Sequence, residues 1–214
     1  MDNTKQHLDS LSEIKNLMER SSKFISLSGL SGIVAGITAL AGATFAYLRL
    51  NFYLNTTSFD RYTTRAISST DLTTLTIELI GIAAAVLIIS VSAGILLTIK
   101  ETKKNKQSIW DKNSKLLLIN LLIPLCAGGI FGLILIYHQL FVLVAPITLI
   151  FYGLALVNAS KYTLNDIKYL GILEIILGLI SAVFVGKGLL FWAIGFGILH
   201  IVYGTLMHFK YNKG

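Results

Sequence analysis

Charge is scarce in this 214-residue chain: 14 % of its residues are Asp, Glu, Lys or Arg, against about 25 % in soluble domains. Helices built from such a chain have almost no hydrophilic face, which excludes a water-soluble bundle. A single cysteine, Cys126, excludes an internal disulfide, and its place within an apolar run reads as a small buried hydrophobe. There are two prolines, Pro124 and Pro146. Both fall inside apolar runs, where the missing N–H predicts a kink. The chain also lacks a His-Glu-x-x-His pair, a Gly-x-Ser-x-Gly elbow, a Gly-rich phosphate loop and paired aspartates. Its four histidines, His7, His138, His200 and His208, are scattered, and no other span offers a second ligand at the depth of His200. The expectation is a non-enzymatic protein with no catalytic residue, no metal and no cofactor.

What the chain does have is hydrocarbon. The hydrophobic fraction is 54 % and the mean hydropathy +0.72. A bilayer core of about 30 Å takes about 20 helical residues, and six apolar stretches approach or exceed that length: 24–47, 74–99, 116–137, 141–157, 169–185 and 189–207. The fold class expected is all-α, a polytopic membrane protein with six transmembrane helices over residues 24–209 and a short tail, 210–214. The first span is preceded by 23 mostly polar residues with mixed charge, which argues against a cleaved signal peptide. Within residues 1–23, Leu8, Leu11, Ile14, Leu17 and Met18 recur at helical spacing, predicting a short amphipathic helix that lies on the inner membrane surface or packs under the bundle.

Positive charge sets the threading. Fourteen of the eighteen Lys and Arg fall in the N-terminal segment, the second loop, the fourth loop and the tail. Only Arg49, Arg61, Arg65 and Lys187 fall on the other side. The positive-inside rule therefore places both termini in the cytoplasm. The net charge of +7 is accounted for by anionic lipid and calls for no nucleic acid. The basic second loop, Lys100–Lys115, is the segment on which an acidic cytoplasmic partner could dock. Arg49–Thr73 reads as the one long external loop, with Ser69, Thr70 and Asp71 as caps for the second span.

An internal repeat runs through the second half. Phe131-Gly132-Leu133-Ile134 matches Leu177-Gly178-Leu179-Ile180, and Phe151-Tyr152-Gly153 matches Val202-Tyr203-Gly204. With fainter glycine matches in the first pair of spans, the reading is three helical hairpins in tandem, as parallel repeats. Ser28, Gly32 and Gly36 lie four apart, as do Gly128 and Gly132. That spacing lets helix backbones approach closely, either within the protomer or across a homo-oligomer face. Over residues 116 to 209, these Gly-punctuated hairpins resemble the HdeD-type family of short-repeat bacterial membrane proteins, and the run Phe191–Gly204 is similar to other six-span bacterial membrane proteins. The resemblance implies a membrane-associated role in stress tolerance. It carries no site residues, and Gly186-Lys187-Gly188 stands where such repeats commonly turn at proline.

Three ionisable residues lie within the spans: Glu78, Glu174 and His200. Burying such a group costs several kcal/mol unless it faces a cavity or a partner. Glu78 is near a membrane surface, in reach of Arg61 or Arg65. Glu174 and His200 are each 13 residues from Lys187 on adjoining spans, hence at similar depth. Two functional classes follow. A dry contact between them is a clasp in a scaffold held by helix packing. A water-filled cavity reaching Glu174 belongs to a small transporter or channel for protons, ions or a small polar solute.

Overall fold

Backbone groups in hydrocarbon must find their partners within the chain, and a helix is the local way to do it. The computed structural model describes residues 29–59, 69–104 and 112–211. Among these it is helical between short turns, with no strand. The elements are α1 (Gly29–Phe59), α2 (Ser69–Lys104), α3 (Lys112–Tyr137), α4 (Val144–Ala159) and α5 (Asp166–Val183), followed by a last helix in three parts. Those parts are α6 (Gly188–Trp192), a π-helical segment (Ala193–Leu199) and α7 (His200–Tyr211). The expected amphipathic segment 1–23, Ser28, the centre of the basic second loop and the end of the tail lie outside the described residues.

Five stretches are long and apolar enough to cross a membrane: Gly29–Tyr53, Leu72–Lys103, Lys112–Tyr137, Phe141–Tyr162 and Gly188–Lys210. The remaining expected span, 169–185, falls in α5, whose 18 residues include Asp166, Lys168 and Glu174. The expected external loop 49–73 is largely helix. α1 continues to Phe59 and α2 begins at Ser69, the first of the three cap candidates. Arg49 is thus a helical residue, held in register with the span before it.

Hydroxyls on the apolar helices turn back on their own backbone. Thr38, Thr44, Thr76 and Thr205 each donate to the carbonyl four residues earlier, at 2.7–2.8 Å. Each of these four hydroxyls thereby keeps a partner without leaving its own helix. The outer surfaces carry exposed Leu87, Leu96, Ile123 and Val183. Cys126 is also exposed, which corrects the expectation of a buried thiol. The face of α3 that meets α4 carries Gly128 instead, and position 126 points outward.

The two prolines behave differently from the expected pair of kinks. Pro146 is the third residue of α4, after a 3-10 turn at Phe141–Leu143. In the first turn a helix has no internal acceptor for that N–H, so the proline removes nothing. Pro124 is internal to α3 and deprives the Asn120 carbonyl of its helical donor. Asn158 of α4 replaces that donor from across the interface, its Nδ2 3.1 Å from Asn120 O. The proline thus creates a specific α3–α4 contact. α3 then ends in a Schellman turn, with Leu140 N donating to Leu135 O at 2.8 Å and Gln139 at φ 60°. The turn before α6 uses Gly186 at φ 87°, which only glycine adopts freely.

Helices pack where glycine removes the side chain. On α1, a methyl at Gly36 would lie 2.6 Å from Gly197 O, and one at Gly32 would lie 3.1 Å from the Gly204 Cα. In return, a methyl at Gly204 would lie 2.7 Å from Gly29 O. α1 and the last helix are therefore in backbone contact along a seam of glycines, inside one chain. A second seam joins α4 to α5, where a methyl on Gly171 would be 2.7 Å from Gly153 O and one on Gly178 2.9 Å from Pro146 O. Of the other small residues singled out in the sequence, Gly128 rests on the Phe151 ring, whereas Gly132 has nothing within 4 Å of an added methyl. Within each of the first two expected hairpins the helices pack on one another, α1 on α2 and α3 on α4. In the third, α5 lies along α4 and the last helix along α1; the two meet through side chains at Glu174–His200 and at Asp166–Lys210.

Candidate functional site

The inward face of α5 reads Ile167, Leu170, Gly171, Glu174, Gly178 and Ser181, all buried. The spacings of three and four residues put them on one side of the helix. Glu174 is the charged member of a face otherwise made of small and apolar residues. Its side chain is 0 % exposed.

The last helix presents His200 to it. Ahead of that residue the backbone widens into the π-helical segment Ala193–Leu199, an uncommon geometry that recurs at functional sites. The His200 backbone N–H reaches Gly197 O, and its ring Nδ1 lies 3.0 Å from Gly195 O. A carbonyl can only accept, so Nδ1 carries the hydrogen, a tautomer assigned from its partner. In the neutral ring Nε2 is then an acceptor, and the Tyr152 hydroxyl of α4 donates to it at 2.7 Å. The ring is held at both nitrogens.

Glu174 completes the cluster. Its Oε1 lies 3.5 Å from His200 Nδ1, an ion-pair distance and too long for a good hydrogen bond. Gly195 is the cradle: a methyl there would lie 2.5 Å from Glu174 Oε2 and 2.5 Å from Leu149 Cδ2. Aromatic rings close one side, with Tyr152 and Trp192 at 4.9 and 5.0 Å from the Phe196 centroid. Among the described residues neither Glu174 oxygen has a hydrogen-bond partner, nor does the buried Ser181 hydroxyl one turn past Gly178. Neither of two cavities elsewhere, about 670 Å³ between α1 and α2 and about 480 Å³ around Asp166 and Lys210, includes Glu174 in its lining.

The structure thus brings Glu174 and His200 together and leaves Glu78 apart. Glu78 lies on α2 and pairs with Arg49 of α1, Oε1 2.6 Å from Nη2, whereas Arg61 and Arg65 lie outside the described residues. The sequence had placed Arg49 in a loop, which hid this partner. It also missed Tyr152 and Gly195. The signal for Tyr152 was its place in the repeat, opposite Tyr203; the signal for Gly195 was its interruption of the run before His200. No protein-family model, no curated protein and no solved structure matches this chain.

Proposed function

We propose that this chain is a non-enzymatic integral membrane protein of the bacterial cytoplasmic membrane, a helix-packed scaffold that crosses six times with both ends inside. Its work is membrane-associated assembly or stress tolerance, the role that the HdeD-type resemblance implies. One observation carries the reading. The sole carboxylate on the inward face of α5 is fully enclosed and set against glycine, imidazole and leucine, so it joins three helices and opens to no cavity described.

Support for α5 as the sixth crossing comes from its neighbours. An added methyl on Gly188 would lie 3.1 Å from Ala145 Cβ, so the last helix starts level with the start of α4. At the opposite end Lys210 Nζ is 2.8 Å from Asp166 Oδ2. An 18-residue helix between these levels rises about 27 Å. Its Asp166 and Lys168 fall in the first turn, at a membrane surface, which leaves Glu174 as the ionisable side chain of α5 within the core. Lys100–Lys115 then lies at the inner surface against anionic lipid or an acidic partner.

In spheroplasts of a Cys126→Ser chain, Lys187→Cys reacts with a membrane-impermeant maleimide, and Lys161→Cys reacts only after the membrane is opened. Equal labelling of both contradicts the sixth crossing. In reconstituted vesicles, protons and small monovalent ions cross no faster than through protein-free lipid, and Glu174→Gln leaves that baseline unchanged. A flux abolished by Glu174→Gln overturns the scaffold reading for the second one, a small proton or ion transporter. The observation on that side is that neither Glu174 oxygen has a hydrogen bond among the described residues.

A further inference from the structure

We propose that the groove between α1 and α2 is a seat for one phospholipid, its acyl chain along the groove and its phosphate on Arg49. The inference rests on the membrane reading but on none of the residues of the Glu174 cluster.

The groove holds about 670 Å³ and, among the described residues, is lined by α1 and α2. Ala41, Gly42, Phe45, Gly81, Ala85 and Val86 line most of its length. Gly42 rests directly on Val86 and forms the floor, whereas a methyl on Gly81 would meet nothing within 4 Å, so that wall stands open. The groove runs from Thr38 to Arg49 on α1 and from Ile89 to Glu78 on α2. Each path is 11 residues, about 16 Å of helix rise. Half of a hydrocarbon core of about 30 Å is about 15 Å. The groove is therefore as deep as one leaflet, with its single charged pair at one end, as a lipid is built.

That end is chemically suited to a phosphate. Arg49 commits Nε and Nη2 to Glu78, at 2.9 and 2.6 Å, which leaves Nη1 uncommitted among the described residues. The guanidinium sits 5.8 Å above the Phe52 ring and is 40 % exposed. With five N–H donors, one arginine holds a carboxylate and a phosphate oxygen together. The third polar lining residue, Thr38, spends its hydroxyl on Val34 O at 2.8 Å. The body of the groove therefore offers nothing to a polar solute.

The test is native mass spectrometry of the full chain in mild detergent with the lipid it carries from the membrane. One phospholipid per chain is expected. Gly81→Phe and Ala85→Leu, which fill the groove, lower its occupancy about tenfold. Gly94→Phe, on the same helix and equally open but outside the groove, keeps wild-type occupancy. On delipidated protein, phosphatidylglycerol rebinds, diacylglycerol of the same chains binds about tenfold more weakly, and inorganic phosphate alone does not bind. The proposal is overturned if Gly81→Phe and Ala85→Leu retain lipid like the wild type, if Gly94→Phe loses it equally, or if diacylglycerol or free phosphate binds as well as the phospholipid.

Discussion

Gly204→Leu is expected to lower stability by about 3 kcal/mol or more, because overpacking a closed interface moves backbone. The added Cβ would lie 2.7 Å from both Gly29 O and Ile33 N. Main-chain atoms cannot swing aside as a side-chain tip can, so α1 and the last helix must separate along the seam that also holds Gly32, Gly36 and Gly197. For a chain of this length the cost corresponds to a fall in Tm of about 6–12 °C, read by thermal unfolding in detergent. Gly132→Ala and Gly94→Ala, whose new methyls meet open space, stay within about 0.5 kcal/mol of the wild type. A Gly204→Leu melt that coincides with that of Gly132→Ala contradicts the seam.

Much of this was legible in the sequence, for identifiable reasons. Length and hydropathy report directly on the cost of leaving backbone and apolar surface in the wrong solvent, so the helical membrane class followed from composition. The level of Glu174 with His200 followed from counting residues out from Lys187, since both helices rise at the same rate from one turn. The identity of the partner helices was not legible. Gly32 and Gly36 announced a close approach without saying that Gly197 and Gly204 would receive it, because a small residue states what is missing and not what fills it. Gln139 at positive φ, the π-helical turn before His200 and the Asn158 donor to Asn120 are local consequences of tertiary fit. No periodicity encodes them. The Arg49–Glu78 pair was hidden by a boundary, since α1 continues well past its apolar run.

The second large effect is expected at His200. Replacing it by leucine takes the acceptor from the buried Tyr152 hydroxyl, the ring N–H from the Gly195 carbonyl and the 3.5 Å contact from the Glu174 carboxyl group. Leaving a buried hydrogen-bonding group unsatisfied costs about 1–3 kcal/mol, and here more than one group loses its contact. Glu174→Leu is milder, about 1 kcal/mol, because its oxygens make no hydrogen bond among the described residues and lose only the 3.5 Å contact. Leucine also keeps the space beside Gly195 and Leu149 filled. The asymmetry matters. A residue that merely fills space shows the same cost whatever stands opposite, whereas in a clasp part of the cost of losing the imidazole disappears once the carboxylate is removed as well.

The most direct measurement is therefore the double-mutant cycle of Glu174→Leu, His200→Leu and their combination, with unfolding free energies taken in one detergent at one pH. The combined variant is predicted to be more stable than the sum of the single losses allows, with a coupling of about 1–3 kcal/mol. Additive losses, within about 0.3 kcal/mol, would show that these two groups do not hold the helices together, and the account of this protein as a scaffold closed around a buried polar clasp would be contradicted.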